Sequence, residues 1–248
     1  MTSQHSDEEY ADLGATTQEA MEIAQTSLDI VGQFVPDETL ADRFRRKSVH
    51  SSGDIEFQHL LRFGNDPAVA GARAVLDGRP IVTDISMAAA GITERGHDCT
   101  IRTTIGNGDE LAEETGMTRS AAATLELDRE GVYDGAIVTI GNAPTAALTL
   151  ADCIEDGTRP AVVVATPVGF VKAPESRERI REVGTEYGVP TITNVGRRGG
   201  SGLAAALTNE LIHVARDARE GEVDLDAAGT FEGSDDSSGD DADGRKDQ

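Results

Sequence analysis

The chain has 248 residues, long enough for one sizeable α/β domain with its own core, or at most two small ones. Its formal net charge is −23, and the excess of acid is not confined to one end: residues 217 to 248 hold 12 acids against 3 bases, and the rest of the chain 33 against 19. Wrapping of nucleic acid is thereby excluded as a function class, because it needs a positive surface to replace phosphate counterions. The basic residues are almost all arginine, with lysine only at Lys47, Lys172 and Lys246, and Trp is absent. Such an acidic, lysine-poor surface fits a halophilic protein, kept soluble in concentrated salt where self-repulsion is screened; acidic composition without halophily is the duller reading. No apolar run is long enough to cross a bilayer, and the N-terminal Asp7, Glu8 and Glu9 are the reverse of a signal peptide. A cytoplasmic protein with no membrane partner is expected. Cys99 and Cys153 lie in apolar runs without zinc-type spacing, and are expected to be buried thiols in a reducing compartment.

Residues 1–13 read as a disordered acidic arm, followed by a helix whose Met21, Ala24, Leu28 and Val31 share one face. A second helix follows Pro36-Asp37, with Leu40 and Phe44 turned inward and Arg43, Arg45, Arg46 and Lys47 leading toward His50. The basic cluster reads either as a helix end paired to surface acids, the commoner case, or as an electropositive rim for an anionic ligand. The run then stops at His50 and breaks into Ser51-Ser52-Gly53-Asp54. Of five histidines, His5 lies in the polar arm, His59 and His213 in helical runs, and His97 in a turn after Gly96. Only His50 sits at a junction with backbone freedom around it. Two readings stand: an imidazole that gives or takes a proton near neutrality, or one that merely caps a helix C-terminus.

From Asp66 the punctuation is that of an α/β domain. Asp66-Pro67 reads as an N-cap with proline at the first helical position; Val69, Ala72, Val75 and Leu76 form the inner face, and Gly78 stops the helix. Short apolar runs at 79–84, 99–103, 136–140, 161–165 and 191–195 alternate with helical segments near 109–130, 143–155, 174–187 and 201–216. Strands apolar on both faces, alternating with helices, predict a single α/β domain over 14–216 with a mostly parallel β-sheet and helices on both faces. Ligands bind such sheets at the C-terminal strand edge, and the junctions there are distinctive. Ile140 to Thr145 presents a glycine turn, Asn142 as an N-cap and an early proline; Ala165 to Val171 is a long apolar loop; Val195 to Gly202 combines Arg197 and Arg198 with open backbone before a helix N-terminus. With Arg119, these loops point to an anion site. The nucleotide fingerprints G-x-G-x-x-G and G-x-x-x-x-G-K-[ST] are missing, which disfavours a nucleotide-dependent enzyme. No His/Cys/carboxylate constellation points to a protein-held metal or other cofactor. Residues 217–248, with Gly233-Ser234-Asp235-Asp236-Ser237-Ser238, read as a disordered acidic tail.

Together these stretches resemble the precorrin-8X methylmutase family, known also in a cobalt-precorrin-8 version. The resemblance rests on Ser48 to Asp54, Gly78 to Gly91, Gly116 to Ala122, Gly141 to Ala146, Pro167 to Val171 and Gly196 to Ser201, in that order and spacing, and runs from about residue 14 to 213. One departure is Met117, where the family pattern has a polar residue, often asparagine. The resemblance implies an isomerase of cobalamin biosynthesis that shifts a methyl group from C11 to C12 of a tetrapyrrole substrate without an external donor. It places the active-site histidine at His50 and implies a homodimer with sites near the subunit boundary. Arg119, Arg197 and Arg198 would bind peripheral carboxylates, while Ser27, Thr118, Asn142, Thr145 and Gly169 would line the pocket. A corrinoid carrier that binds without catalysing is the alternative; it would keep the arginines but not depend on His50.

Overall fold

The structure is a computed structural model and describes residues 17–227; the expected arm at 1–13 and the tail beyond 227 lie outside them. Two helices open the chain, α1 (Gln18–Val31) and α2 (Leu40–Ser52), then the single turn α3 (Phe57–Leu60) leads into β1 (Leu61–Gly64). There follow α4 (Pro67–Leu76), β2 (Ile81–Thr83), α5 (Ser86–Gly91), β3 (Ile101–Thr103), α6 (Asp109–Thr115), α7 (Arg119–Arg129) and β4 (Ile137–Ile140). The chain continues through α8 (Pro144–Glu155), β5 (Val162–Ala165), α9 (Ala173–Tyr187), β6 (Thr191–Asn194) and α10 (Ser201–Glu220). The six strands form one sheet in the order β1-β6-β5-β4-β2-β3, parallel throughout except for β1, which runs antiparallel to β6 with Leu61 opposite Asn194.

Alternation along the strands assigns the two faces, because successive side chains point to opposite sides. Ile81, Ile137, Val162, Val164 and Ile192 face one way, onto Ala72 and Val75 of α4 and Leu207 and Leu211 of α10. Val82, Val138, Ile140, Val163 and Ala165 face the other, onto Leu127 of α7, Leu150 of α8 and Ile180 of α9. Each fully buried Ile, Val or Leu in these layers contributes about 1.5–3 kcal/mol. Cys99 and Cys153 are buried and unpaired, as expected, and burial pushes their thiols up to about 11 and about 12.

Several expectations need correction. Strand β1 and helix α5 were not read from the sequence, and the segment 109–130 is two helices, divided where Gly116 takes a left-handed conformation at φ +74°. The inner face of α4 is Ala68, Gly71, Ala72 and Val75, with Leu76 exposed. Close approach to α10 selects these small residues: a Cβ on Gly71 would lie 2.6 Å from Leu211. Asp66 is in a left-handed conformation and makes no side-chain cap. The last helix runs on to Glu220, and Val223 and Leu225 pack against the core, so ordered structure extends past the expected boundary at 216. The arginine-rich helix is tied down by acids: Arg43 Nε lies 2.8 Å from Glu210 and its Nη1 2.7 Å from Asp217, while Arg45 pairs with Asp42 and Arg46 with Asp37. The cluster is thus paired to acids, as in the first of its two readings, but Asp42 and Glu210 are buried rather than at the surface.

Candidate active site

All the junctions singled out in the sequence after β4, β5 and β6 lie on the C-terminal edge of the parallel strands. The loop after β4 is held from below by Asp84, which follows β2. One carboxylate oxygen accepts the Gly141 amide at 3.0 Å, and the other accepts those of Asn142 at 2.8 Å and Ala143 at 2.6 Å. Asp84 thus does the capping expected of Asn142, whose own side chain is exposed. Burial raises the Asp84 carboxyl above its ordinary range, while the three amide bonds pull the other way. Gly141 is required by crowding, since a Cβ there would lie 2.5 Å from the Cα of Ser201, the first residue of α10.

Thr118 and Thr145 meet above this loop. Thr118 caps α7 by accepting the Ala121 amide, and its hydroxyl donates to Thr145 Oγ1 at 2.8 Å, joining the starts of α7 and α8. Arg119, next in the chain, projects outward with its side chain 86% exposed and a long 3.5 Å contact to Asp109. So weak a pair leaves the guanidinium available to a ligand.

The loops after β5 and β6 are knitted together. Gly200 donates its amide to Thr166 O at 2.7 Å, and Gly169, at φ +148°, donates to Arg197 O at 3.2 Å. The Arg197 guanidinium stacks over the Phe170 ring at 5.4 Å. Phe170 and Val171 are about four-fifths exposed, an unusual position for large apolar side chains. Arg198 pairs with Asp54, four residues beyond His50, and so ties this loop to the histidine turn.

His50 itself is half-buried in the last turn of α2, which continues to Ser52 and ends at Gly53 in a left-handed conformation, φ +66°. The backbone freedom inferred around it therefore begins three residues later. Its Nδ1 lies 3.1 Å from the Ser27 hydroxyl on α1. Ser27, expected in the pocket wall, is thus in contact with the histidine. Structure brings together Ser27 with His50, Thr118 with Thr145, and Gly169 with Arg197. Two residues had escaped sequence reasoning altogether: Arg177 on α9 and Asn194 at the end of β6, both fully buried beneath the β6 loop. The signal for Arg177 was present, because it falls on the stripe Ala173, Arg177, Ile180, Gly184 that buries α9.

Comparison with known proteins decides the family. The sequence model described as precorrin-8X methylmutase matches residues 22–214. The chain belongs to the precorrin-8X methylmutase family. It is 36% identical over 217 residues to the cobalt-precorrin-8 methylmutase of Methanocaldococcus jannaschii, covering 82% of this chain and 98% of that one. It is also 36% identical over 203 residues to the cobalamin biosynthesis protein CbiHC of Archaeoglobus fulgidus; this match covers 82% of the chain but spans only 42% of that longer protein. Among solved structures, the precorrin-8X methyl mutase of Thermus thermophilus superposes with a TM-score of 0.73 at 33% identity, covering 82% of this chain and 98% of that one. Membership makes the chain a methylmutase, an isomerase of cobalamin biosynthesis, and the shared fold includes the mostly parallel six-stranded sheet. Among the described residues, no helix is long and apolar enough to cross a membrane.

Proposed function

We propose that the chain moves a methyl group from C11 to C12 of precorrin-8X or cobalt-precorrin-8, yielding hydrogenobyrinate or cobyrinate. The bond from the methyl to C11 breaks as that to C12 forms, so no donor or protein cofactor enters, and any cobalt arrives inside the substrate. The observation that carries the reading is the coupling of His50 to the loop bearing Arg197 and Arg198 through the Asp54 to Arg198 pair. It supports a macrocycle held by its carboxylates within reach of the imidazole. His50 hydrogen-bonds or protonates the ring to ease migration, with Ser27 orienting the imidazole through Nδ1. Arg119, Arg197 and Arg198 bind peripheral carboxylates, Thr118, Asn142, Thr145 and Gly169 line the pocket, and the Pro167 to Val171 loop covers one ring face. A rearrangement of this kind gains mainly from positioning and modest charge stabilisation.

The chain acts in the cytoplasm, in concentrated salt, as a homodimer, for which exposed Phe170 and Val171 offer apolar surface next to the site. The domain begins near residue 14 and runs past α10 to Leu225, with acidic extensions at either end. The test is the visible spectrum of protein in molar salt mixed anaerobically with each substrate. Wild type converts one of them to the corrin spectrum while His50→Ala binds without converting. Binding by wild type without conversion of either substrate would replace the methylmutase reading with that of a carrier.

A further inference from the structure

The loops after β4 and β6 differ in what lies beneath them. Asp84 draws the amides of Gly141, Asn142 and Ala143 inward, so these donors are spent within the protein. Under the β6 loop lies a cation instead. Arg177 is fully buried; its Nε donates to Ala173 O at 3.1 Å, Nη1 to Asn194 Oδ1 and to Arg198 O, both at 2.7 Å, and Nη2 to Gly196 O. Asn194 reinforces the arrangement by donating Nδ2 to Arg198 O at 2.8 Å. Carbonyls are thereby turned inward, and the Arg197 carbonyl is taken by the Gly169 amide.

The other side of the same peptide groups is then presented outward. Among the described residues, no acceptor is recorded for the amides from Gly196 to Gly199, which lead into the first turn of α10, itself without a side-chain cap. Only glycine follows this path at 199 and 200, with φ of +150° and +128°; a Cβ on Gly199 would lie 2.3 Å from Thr166 O. Arg177 has no carboxylate within ion-pair distance among the described residues, although a buried guanidinium is ordinarily matched by one. Burial pulls its pKa down to about 10, which leaves it charged at neutral pH.

We propose that Arg177 is the positioning residue of the substrate-binding loop: its guanidinium holds the carbonyls of Gly196 and Arg198 inward, so that the N–H groups of the same peptide units, those of Arg197 and Gly199, form a ready site for a substrate carboxylate. Its unmatched charge adds to the attraction, because the guanidinium is hydrogen-bonded directly to the loop that would receive the carboxylate. The inference rests on the tetrapyrrole reading above and adds to it the residue that sets the polarity of the loop.

Two measurements test it. Amide hydrogen exchange on the wild-type protein is followed with and without the corrin product; Gly141, Asn142 and Ala143 are protected in both states, while Arg197 and Gly199 become protected only with product. Exchange at Arg197 and Gly199 that is unchanged by saturating product overturns the assignment, and this result does not depend on any variant folding. In Arg177→Met, affinity for the carboxylate-bearing product falls about tenfold or more, while affinity for its peripherally amidated form stays within about twofold. Equal losses for both forms mark a merely structural residue and overturn the proposal. Conversion of substrate by wild type is recorded alongside. Protection at Arg197 and Gly199 without conversion supports the loop assignment and counts against the reaction; conversion without protection counts against the loop assignment alone.

Discussion

The loops after β4 and β6 lie on one edge of the sheet and touch where Gly141 meets Ser201, yet they are built on opposite charges. Asp84 collects amides under the first, and Arg177 collects carbonyls under the second. A peptide group that turns its N–H inward offers a ligand its carbonyl, and the reverse, so a single buried charge decides which kind of ligand a loop of small residues will accept. Glycine-rich sequence alone does not distinguish the two. On the proposed reading, the β6 loop takes a substrate carboxylate on its backbone, whereas the amides of the β4 loop are spent on Asp84, and Arg119, beside Thr118, is the anion partner on that side.

The sharpest way to break this comparison is to remove one of the buried charges. Asp84→Ala strands three amides, two of them buried, and urea denaturation at fixed salt is expected to show a loss of about 3 kcal/mol or more; a loss below about 1 kcal/mol would mean that the loop does not depend on the carboxylate. Next in size is Gly141→Val, which forces the loop off the start of α10. It is expected to cost about 1–3 kcal/mol and to reduce turnover more than thermal stability, as read by the conversion assay beside a melting curve.

A third effect depends on pH. Burial alone would raise the Glu210 carboxyl, but Arg43, His213 and Lys47 hold it well below the usual carboxylate range. Because the folded value is depressed, this contribution is present at neutral pH and is lost as pH falls below the ordinary value of 4.5. Denaturation at descending pH should therefore show a steeper fall in wild type than in Glu210→Gln. Smaller still, Asp54→Asn removes the exposed pair with Arg198 and is expected to change stability by less than about 1 kcal/mol while altering the salt dependence of product binding. Phe170→Ala removes the stacking partner of Arg197 and part of the apolar surface beside the site; a loss of about 0.5 kcal/mol or more in product affinity is expected in a titration followed by the visible spectrum.

What could be read from the sequence follows from the range of the interactions involved. The central strands β2, β4, β5 and β6 were legible because their apolar runs answer to burial on both faces, which needs no knowledge of partners. Strand β1 was not, since Leu61-Arg62-Phe63-Gly64 is too short to alternate clearly and exists by pairing with β6, some 130 residues away. The edge of the sheet and its loops were legible, while the helix that bears His50 runs two residues farther than expected. The charges beneath the loops were hidden for the same reason as β1. Asp84 and Arg177 act on backbone 57 and 19 residues distant, and nothing local marks Asp84 as a cap for Gly141 to Ala143. Arg177 left a trace, an arginine on the buried stripe of α9, which reads as a defect of the pattern until the carbonyls above it are seen.

The measurement that bears most directly on the whole account is a crystal structure of the protein with corrin product bound, grown in molar salt. The account predicts a product carboxylate on the amides of Arg197 and Gly199, with Arg177 and Asn194 unmoved beneath them and His50 against the macrocycle while Ser27 keeps its contact with Nδ1. A carboxylate seated instead on the amides of Gly141 to Ala143, with Asp84 displaced, or a product lying away from His50, would contradict it.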